Sequence, residues 1–404
     1  MKLLLVLSAV PYPVRAGGTQ AVYNMVEGLR KYVKIGVALS FHKDKIADFK
    51  ALKSIWPDVT FFENVQKRDM SHILRRIFQN KVSDYTLGDK RLRGLQVPIS
   101  YYRAELLDFV RNSIDSFNPD IIQTEFYSNE DMVYLFPSHI KRVFVQHEIR
   151  YVVNKMWIEE YKFKQTNMLR AFYNKIKADE IAAMNQFDAV LTLNDVDRDI
   201  LIKDGIKTNI YSSPVCVAPA CIRNECAFSG KLVFVGIGGH PPNVEGLAWF
   251  VKEVWPSVVR DYPDLQLHVV GKWTEGQKAL YKNDKNIFFY GFVDSLQEAL
   301  KGAISIVPII RGSGIRMKIL DSVNFGSPFI STTIGALGMG FEDGRDCFIA
   351  DTAKEFINKL KRMIEDKGLR EFFYRNSYEV YKKLYTKEAV VKRRLMIYEQ
   401  ILGS

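Results

Sequence analysis

Four cysteines in 404 residues are too few for a disulfide framework. Cys216, Cys221 and Cys226 sit five apart and Cys347 is remote, which is not the spacing of a zinc site. Reduced structural thiols are the expectation. No run of residues is long and apolar enough to span a bilayer. The short apolar run Leu3–Val10 follows a single Lys2 and enters Pro11 and Pro13 without a small-residue cleavage site. It reads as a buried first strand rather than an export signal, and a cytoplasmic location is expected. The first turn lacks Gly-x-Gly-x-x-Gly spacing and no acidic residue ends the second strand, Lys34–Leu39, which speaks against a nicotinamide-dependent oxidoreductase. The later half has no convincing Asp-x-Asp metal site, and the chain has no obvious paired-carboxylate nucleophile. Internal repeats and low-complexity segments are also absent.

What is there is globular: 47% hydrophobic and 25% charged residues. The length is too great for one ordinary core and implies two domains. The net charge of +11 favours anionic partners. Lys67–Arg111 carries ten basic and five acidic residues among Ile, Leu and Phe, a net +5, and reads as a surface that rests on acidic lipid head groups or as a solvated helix face. No nucleic-acid-binding module accompanies the charge, so no nucleic-acid partner is expected.

Strand-like and helix-like segments alternate, which implies parallel sheets covered on both faces. One series runs from Lys2–Val10 to helix Asp195–Asp204, with Asn194 as its cap. It includes strands Ile121–Thr124, Arg142–Gln146 and Ala189–Leu193, a helix from Thr19, and a long helical stretch from about Lys155 to Asn185. Residues Asp44–Tyr102 read as two or three helices. A second series begins at strand Lys231–Val235 and continues through helix Val244–Asp261 to the helices Thr352–Lys367, Leu369–Leu384 and Lys387–Leu402. Two doubly wound domains joined near residues 213–228 are expected, with ligands beyond the carboxyl ends of the strands. If those ends face one another, a ligand is held in the cleft between the domains.

The segment RGSGIRMKILDS, Arg311–Ser322, carries the most chemistry. A short apolar run, Ile304–Ile310, precedes it and a helix-compatible stretch follows. Strand, glycine-bearing turn and helix N-terminus together leave backbone N–H groups and partial positive charge facing outward. With Gly312 and Gly314 opening the backbone and Arg316 and Lys318 adjacent, the turn is expected to hold an anion, most plausibly a diphosphate. Asp321, three residues beyond Lys318 on the same face, is placed to accept hydrogen bonds from sugar hydroxyls. Diphosphate and ribose together outline a nucleotide-linked donor.

Other candidates are weaker taken singly. Gly17-Gly18 lies between a first strand and a helix. Gly238-Gly239 forms a similar turn, followed by His240, and Asn243 reads as a helix cap near Pro241-Pro242. His147 follows the apolar strand Val143–Val145 at the usual ligand edge.

Phe234–Gly271, Gly291–Leu296 (GFVDSL) and Gly312–Met339 resemble successive blocks of the donor domain of GT-B-fold glycosyltransferases, similar to family 4. Gly17-Gly18-Thr19 and QHEIRY, Gln146–Tyr151, resemble its acceptor-domain blocks. The likeness is strong from residue 231 to 350 and loose between 40 and 120. It implies two Rossmann-like domains facing across a cleft. Residues 1–213 would bind the acceptor and 214–385 the nucleotide-sugar donor, with a terminal helix at about 386–404 able to pack back on the first domain. It implies that Arg316 and Lys318 hold the donor diphosphate and Asp321 the ribose. Phe292-Val293 would meet the nucleobase edge, Gly17 and Gly18 would let the backbone approach the phosphate, and His147 would lie near the reacting centre. Ser313, Gly314 and Ile315 join the donor-binding set, as do Gly238, Gly239 and His240. Many relatives carry two glutamates seven residues apart; here those positions hold Ser313 and Asp321, which leaves the choice of sugar open.

The resemblance implies transfer of a sugar from a nucleoside-diphosphate sugar to a hydroxyl of a glycan or lipid-linked acceptor, with retention of configuration, in bacterial surface polysaccharide or glycolipid assembly. The sugar nucleotide is then a co-substrate, no cofactor is expected, and no divalent metal is required. A cytoplasmic location in contact with the inner face of the plasma membrane is the expectation that the basic stretch Lys67–Arg111 adds. A GT-B-fold sugar-nucleotide 2-epimerase and a non-catalytic sugar-nucleotide binding protein are the alternatives.

Overall fold

A computed structural model describes residues 1–14, 17–66, 104–160, 167–217 and 227–403. The basic stretches at 75–76 and 90–93, and Cys221 and Cys226, lie outside the described residues. The chain divides into two compact units: Met1–Ser213 with Val391–Ser404, and Pro214–Val390.

The first unit is built on strands β1 (Lys2–Leu7), β2 (Lys34–His42), β3 (Thr60–Gln66), β4 (Ile121–Glu125), β5 (Lys141–Gln146), β6 (Ala189–Thr192) and β7 (Asn209–Ser212). They form one sheet in the order β3-β2-β1-β4-β5-β6-β7, with every neighbouring pair parallel. Its helices are α1 (Gly17–Leu29), α2 (Ile46–Ile55), α3 (Ala104–Phe117), α4 (Arg150–Glu160), α5 (Asn167–Met184) and α6 (Asp195–Lys203). β1 reads KLLLVL and is buried from Leu3 to Leu7. A central strand covered on both faces has no solvent side, so it shows a continuous apolar run rather than alternation.

The second unit holds strands β8 (Lys231–Val235), β9 (Gln266–Val270), β10 (Ile287–Gly291), β11 (Ile304–Val307), β12 (Phe329–Ser331) and β13 (Phe348–Ile349). Their order is β10-β9-β8-β11-β12-β13, again parallel throughout. Helices α7 (Pro241–Trp249), α8 (Trp255–Asp261), α9 (Glu275–Lys278), α10 (Leu296–Leu300), α11 (Met317–Asn324), α12 (Thr333–Ala336), α13 (Ala353–Glu365) and α14 (Lys367–Leu384) surround it. The last helix, α15 (Lys387–Gly403), joins the first unit from Val391 onward.

Several sequence expectations need correction. Thr60–Gln66 is a strand, not part of a helical region. It pairs with β2 from Gly36↔Thr60 to His42↔Gln66 at the sheet edge. Its sequence, TFFENVQ, lacks the apolar run of a central strand because an edge strand is covered less completely. The opposite edge strand, β7, was not anticipated either. The helix after β1 begins at Gly17 rather than Thr19, so Gly17 and Gly18 belong to its first turn. The stretch expected as one helix from Lys155 starts earlier, at Arg150 in α4, and continues in α5 to Met184, with residues 161–166 outside the described residues. The segment 244–261 is interrupted by a π-turn at Phe250–Val254 ahead of Pro256. Proline has no N–H to give the preceding turn, which accounts for the break.

Local chemistry sets the helix ends. The side chain of Asn194 accepts from Asp197 N and caps α6 as expected. Thr352 and Glu355 form a reciprocal capping box at the start of α13, whose Phe356, Leu360 and Met363 face the core at helical spacing. Thr352→Ala removes one of these bonds and is expected to destabilise the second unit by about 1 kcal/mol. Urea unfolding should show a lower midpoint at unchanged slope; an unmoved midpoint would mean that the cap is not a determinant of stability.

Candidate functional site

In the second unit the central strand β8 lies between β9 and β11. Connections therefore leave β8 and β11 in opposite directions, and a crevice opens beyond their carboxyl ends. The turn Gly236–Gly239 follows β8 and the turn Arg311–Arg316 follows β11, so the two glycine-bearing segments singled out in the sequence meet at this switch point.

The first turn is clamped by its neighbours. Trp273 Nε1 donates to Gly236 O at 2.8 Å, and Gln277 Nε2 donates to Gly238 O at 2.8 Å. In the second turn Gly312 and Gly314 adopt φ of +120° and +79°, where a side chain is strained. This folds the chain back so that Arg316, the residue that precedes α11, donates from Nη1 to Ser313 O at 2.6 Å. Ser313 and Gly314 are buried, and Ile315 is partly buried.

Lys318 sits in the first turn of α11. Its Nζ donates to Asn243 Oδ1 at 2.6 Å and lies 4.6 Å from the centre of the Phe234 ring. An amide oxygen and an aromatic ring do not cancel its charge. Burial, and then the adjacent Arg316 guanidinium, push the ammonium down to about 7. Desolvation, followed by Arg316 and Lys318, likewise pushes His240 down to about 4, although part of that residue reaches solvent. His240 is therefore neutral at pH 7. This crowding of cations around a neutral imidazole is the electrostatic setting of an anion site.

Asn243 does not cap α7 as expected. His240 occupies the cap position, and Asn243 turns inward, donating to Ile237 O at 3.0 Å while accepting from Lys318. Pro241 and Pro242 at the helix start displace the cap one turn earlier. A further pair, Arg311 with Glu245, ties α7 to the segment after β11 and was not anticipated. Asp321 is only 7% exposed. Phe292 follows β10 with 49% of its surface exposed, whereas Val293 packs against the cluster of Val233, Val270 and Leu300. Gly239 has open space around its Cα.

The first unit carries a second constellation at its own switch point. Glu125 ends β4 and His147 follows β5, and the adjacent strands bring His147 Nε2 within 2.7 Å of Glu125 Oε2. Phe126 stacks on the imidazole at 4.2 Å with φ of +69°, an unusual conformation for an aromatic residue. Gly18 lies beneath it; a Cβ there would come within 3.0 Å of the Phe126 ring. Gly18 and His147 thus both border one phenyl ring. Glu125 escaped the sequence reading, although its position at the end of a strand next to β5 was the available signal.

Behind His147 lies a buried ionic group. Glu180 accepts from Arg150 N and Tyr151 N, each at 3.1 Å, and so caps α4 from a distance. Arg150 Nη2 donates to Glu130 Oε1 at 2.6 Å. Desolvation, then the Glu180 charge, hold Glu130 well above the usual carboxylate range. A cavity of about 360 Å³ opens beyond β1, β2 and β4, with Ser8, Ser40 and Asn129 beside Leu106, Phe109 and Met132. Among the described residues no three His, Cys, Asp or Glu side chains gather in a metal-binding arrangement, and no helix is long and apolar enough to cross a membrane. Cys216 and Cys347 are buried and in no disulfide, and burial pushes the Cys347 thiol up.

The position of α7 over the anion turn depends on one close approach. A Cβ on Gly246 would meet Pro308 O at 2.5 Å. Gly246→Ala is expected to cost about 1–3 kcal/mol through overpacking. Urea denaturation checks this, and an unchanged midpoint would show that α7 is not held by that contact.

Residues 229–366 match the family model described as glycosyl transferases group 1. A 44.6 kDa protein in the cps region of Klebsiella pneumoniae is 29% identical over 157 residues, which cover 36% of this chain and 40% of that relative. The match thus spans well under half of the relative's length. Among solved structures, S. aureus TarM in complex with fondaparinux, alpha-GlcNAc-glycerol and UDP superposes with a TM-score of 0.71 at 10% identity, covering 100% of both chains. Sucrose-phosphate synthase from Thermosynechococcus elongatus gives 0.70 at 13% identity over 100% of this chain and 99% of that one. The pneumococcal O-GlcNAc transferase GtfA, in complex with UDP and GlcNAc, gives 0.68 at 11% identity over 100% and 99%. At such identities the superpositions speak to fold, and the family match speaks to the second unit. The chain has the GT-B fold of these structures, and its residues 229–366 match the group 1 glycosyl transferases.

Proposed function

We propose that the chain transfers a sugar from a nucleoside-diphosphate sugar to a hydroxyl of a glycan or lipid-linked acceptor. The observation that carries this reading is Lys318: a desolvated ammonium beside Arg316, held by an amide and an aromatic ring, at the switch point of the unit that matches the family. An incoming diphosphate supplies the missing negative charge. As the anomeric C–O bond breaks, charge grows on the leaving diphosphate, and Arg316, Lys318 and the N-terminus of α11 stabilise that charge more than they stabilise the ground state.

In this reading Asp321 holds the ribose and Phe292-Val293 meets the nucleobase. Gly238, Gly239, His240, Ser313, Gly314 and Ile315 shape the donor pocket. Gly17 and Gly18 admit the phosphate to the first unit, and His147 faces the reacting sugar. The half-apolar cavity of the first unit offers a place for the acceptor. The two cations take the charge-stabilising role that a divalent metal performs elsewhere, so transfer without added metal is proposed, with retention of configuration. The cps-region relative supports a role in surface polysaccharide assembly. Action at the inner face of the plasma membrane rests on the charge of Lys67–Arg111 alone. TarM and GtfA were both solved with UDP, so UDP-sugars head a thermal-shift screen that also includes GDP- and ADP-sugars.

Arg316→Ala with Lys318→Ala should lower turnover by about a thousandfold or more while the fold persists. Near-parental transfer by that double variant would refute the assignment.

Lys318 also links binding to pH. Its pKa in the free protein is lowered to about 7. In the folded chain the group therefore sheds its proton as pH rises through 7, while an unfolded chain keeps it to the ordinary lysine value. A bound diphosphate favours the ammonium, so binding above pH 7 takes up a proton and weakens as pH rises. A nucleoside-diphosphate sugar has no titrating phosphate in this range. Calorimetry at pH 8 in buffers of different ionisation enthalpy should reveal the uptake in the parent and its loss in Lys318→Met; equal heats in all buffers would sink this role for Lys318.

A further inference from the structure

We infer that Glu125 is a positioning residue that holds His147 as the Nε2–H tautomer, so that the basic lone pair offered to a substrate hydroxyl is on Nδ1. The inference rests on the reading above that His147 faces the reacting sugar. Its basis is a buried chain of hydrogen bonds that runs from Tyr398 in the C-terminal helix through Gln123 to the Glu125 carboxylate, which accepts on both oxygens.

Arg394 and Tyr398 of α15 are both buried, and the Arg394 guanidinium lies 6.0 Å from the centre of the Tyr398 ring. Arg394 Nε is anchored on Ser213 Oγ at 2.8 Å. The Tyr398 hydroxyl donates its proton to Gln123 Oε1, at 2.5 Å. That fixes the Gln123 amide, because an oxygen facing Tyr398 turns the NH₂ group to Glu125 Oε1, at 2.9 Å. Glu125 then accepts on Oε1, and its other oxygen, 2.7 Å from His147 Nε2, accepts as well. His147 must be the donor in that bond. Gln123 is fully buried and Glu125 nearly so, and in such surroundings an unpaired polar group is costly. Phe126, stacked on the ring, holds the imidazole plane. A carboxylate that orients an imidazole and selects its tautomer is a familiar arrangement in acid–base and metal sites; here it comes from the end of the neighbouring parallel strand.

Glu125→Gln tests the inference at constant volume. Gln123 still donates to the new amide oxygen, which turns the new NH₂ toward Nε2 and forces His147 to accept there and carry its proton on Nδ1. Nitrogen-15 NMR of the full chain with labelled histidine, at neutral pH, reads the tautomer directly. The His147 signals are those lost in His147→Ala. The parent should show Nε2–H and Glu125→Gln should show Nδ1–H. Turnover should fall about 100-fold in Glu125→Gln, with the donor KM within about threefold of the parent. The same substitution in the His147→Ala background should change turnover by less than about twofold, because Glu125 acts through His147. An Nδ1–H tautomer in the parent protein overturns the inference, whether or not the variant folds. So does an additive loss in the double variant. The NMR result stands without turnover, so failure to find any sugar acceptor would count against the proposed function and not against this tautomer.

Discussion

Both units depend on the same constraint: a central strand hydrogen-bonded in parallel on both sides. β1 lies between β2 and β4, and β8 between β9 and β11. Parallel neighbours need crossover connections, and connections from the middle of a sheet must leave toward opposite faces. Beyond the carboxyl ends of the central strands the backbone is therefore not covered by its own helices. The candidate donor-site residues and His147 follow a strand of one of these sheets or lie on the helix that comes next, and Glu125 ends one. The chemistry sits where the topology leaves a gap.

The two switch points handle charge in opposite ways. In the second unit, Arg316 and Lys318 are gathered with a neutral imidazole and an amide, and burial with the neighbouring guanidinium disfavours the Lys318 charge. In the first unit, carboxylates are buried instead. Glu130 and Glu180 share Arg150, and Glu125 lies behind His147. Burial of such groups stabilises little by itself but restricts how they can be arranged. Glu180 fixes the start of α4, immediately after His147, by accepting its first backbone N–H groups. One unit gathers cations at its switch point, and the other holds a ring beside a buried carboxylate.

The parts of the fold legible in the sequence were those under the strongest local demand. Central strands such as LLLVL and ISIV are buried on both faces and have to be apolar throughout. Gly312 and Gly314 stood out because few other residues accept their backbone conformation. The edge strand Thr60–Gln66 was missed because a partly covered strand mixes polar and apolar residues without a clean period. Asn243 was read as a cap because its residue type and its neighbouring prolines fit one; its actual partner, Lys318, is 75 residues away.

The sequence by itself determined the fold class, the alternation of elements, and the cationic glycine turn before α11, since each depends on residues close together in the chain. Only the tertiary structure decided the partners: Asn243 for Lys318, Glu245 for Arg311, Glu125 for His147, and Tyr398 for Gln123 across 275 residues. Strand order brings these side chains together, and strand order is settled by how whole sheets bury their faces, a property that no local window of residues contains.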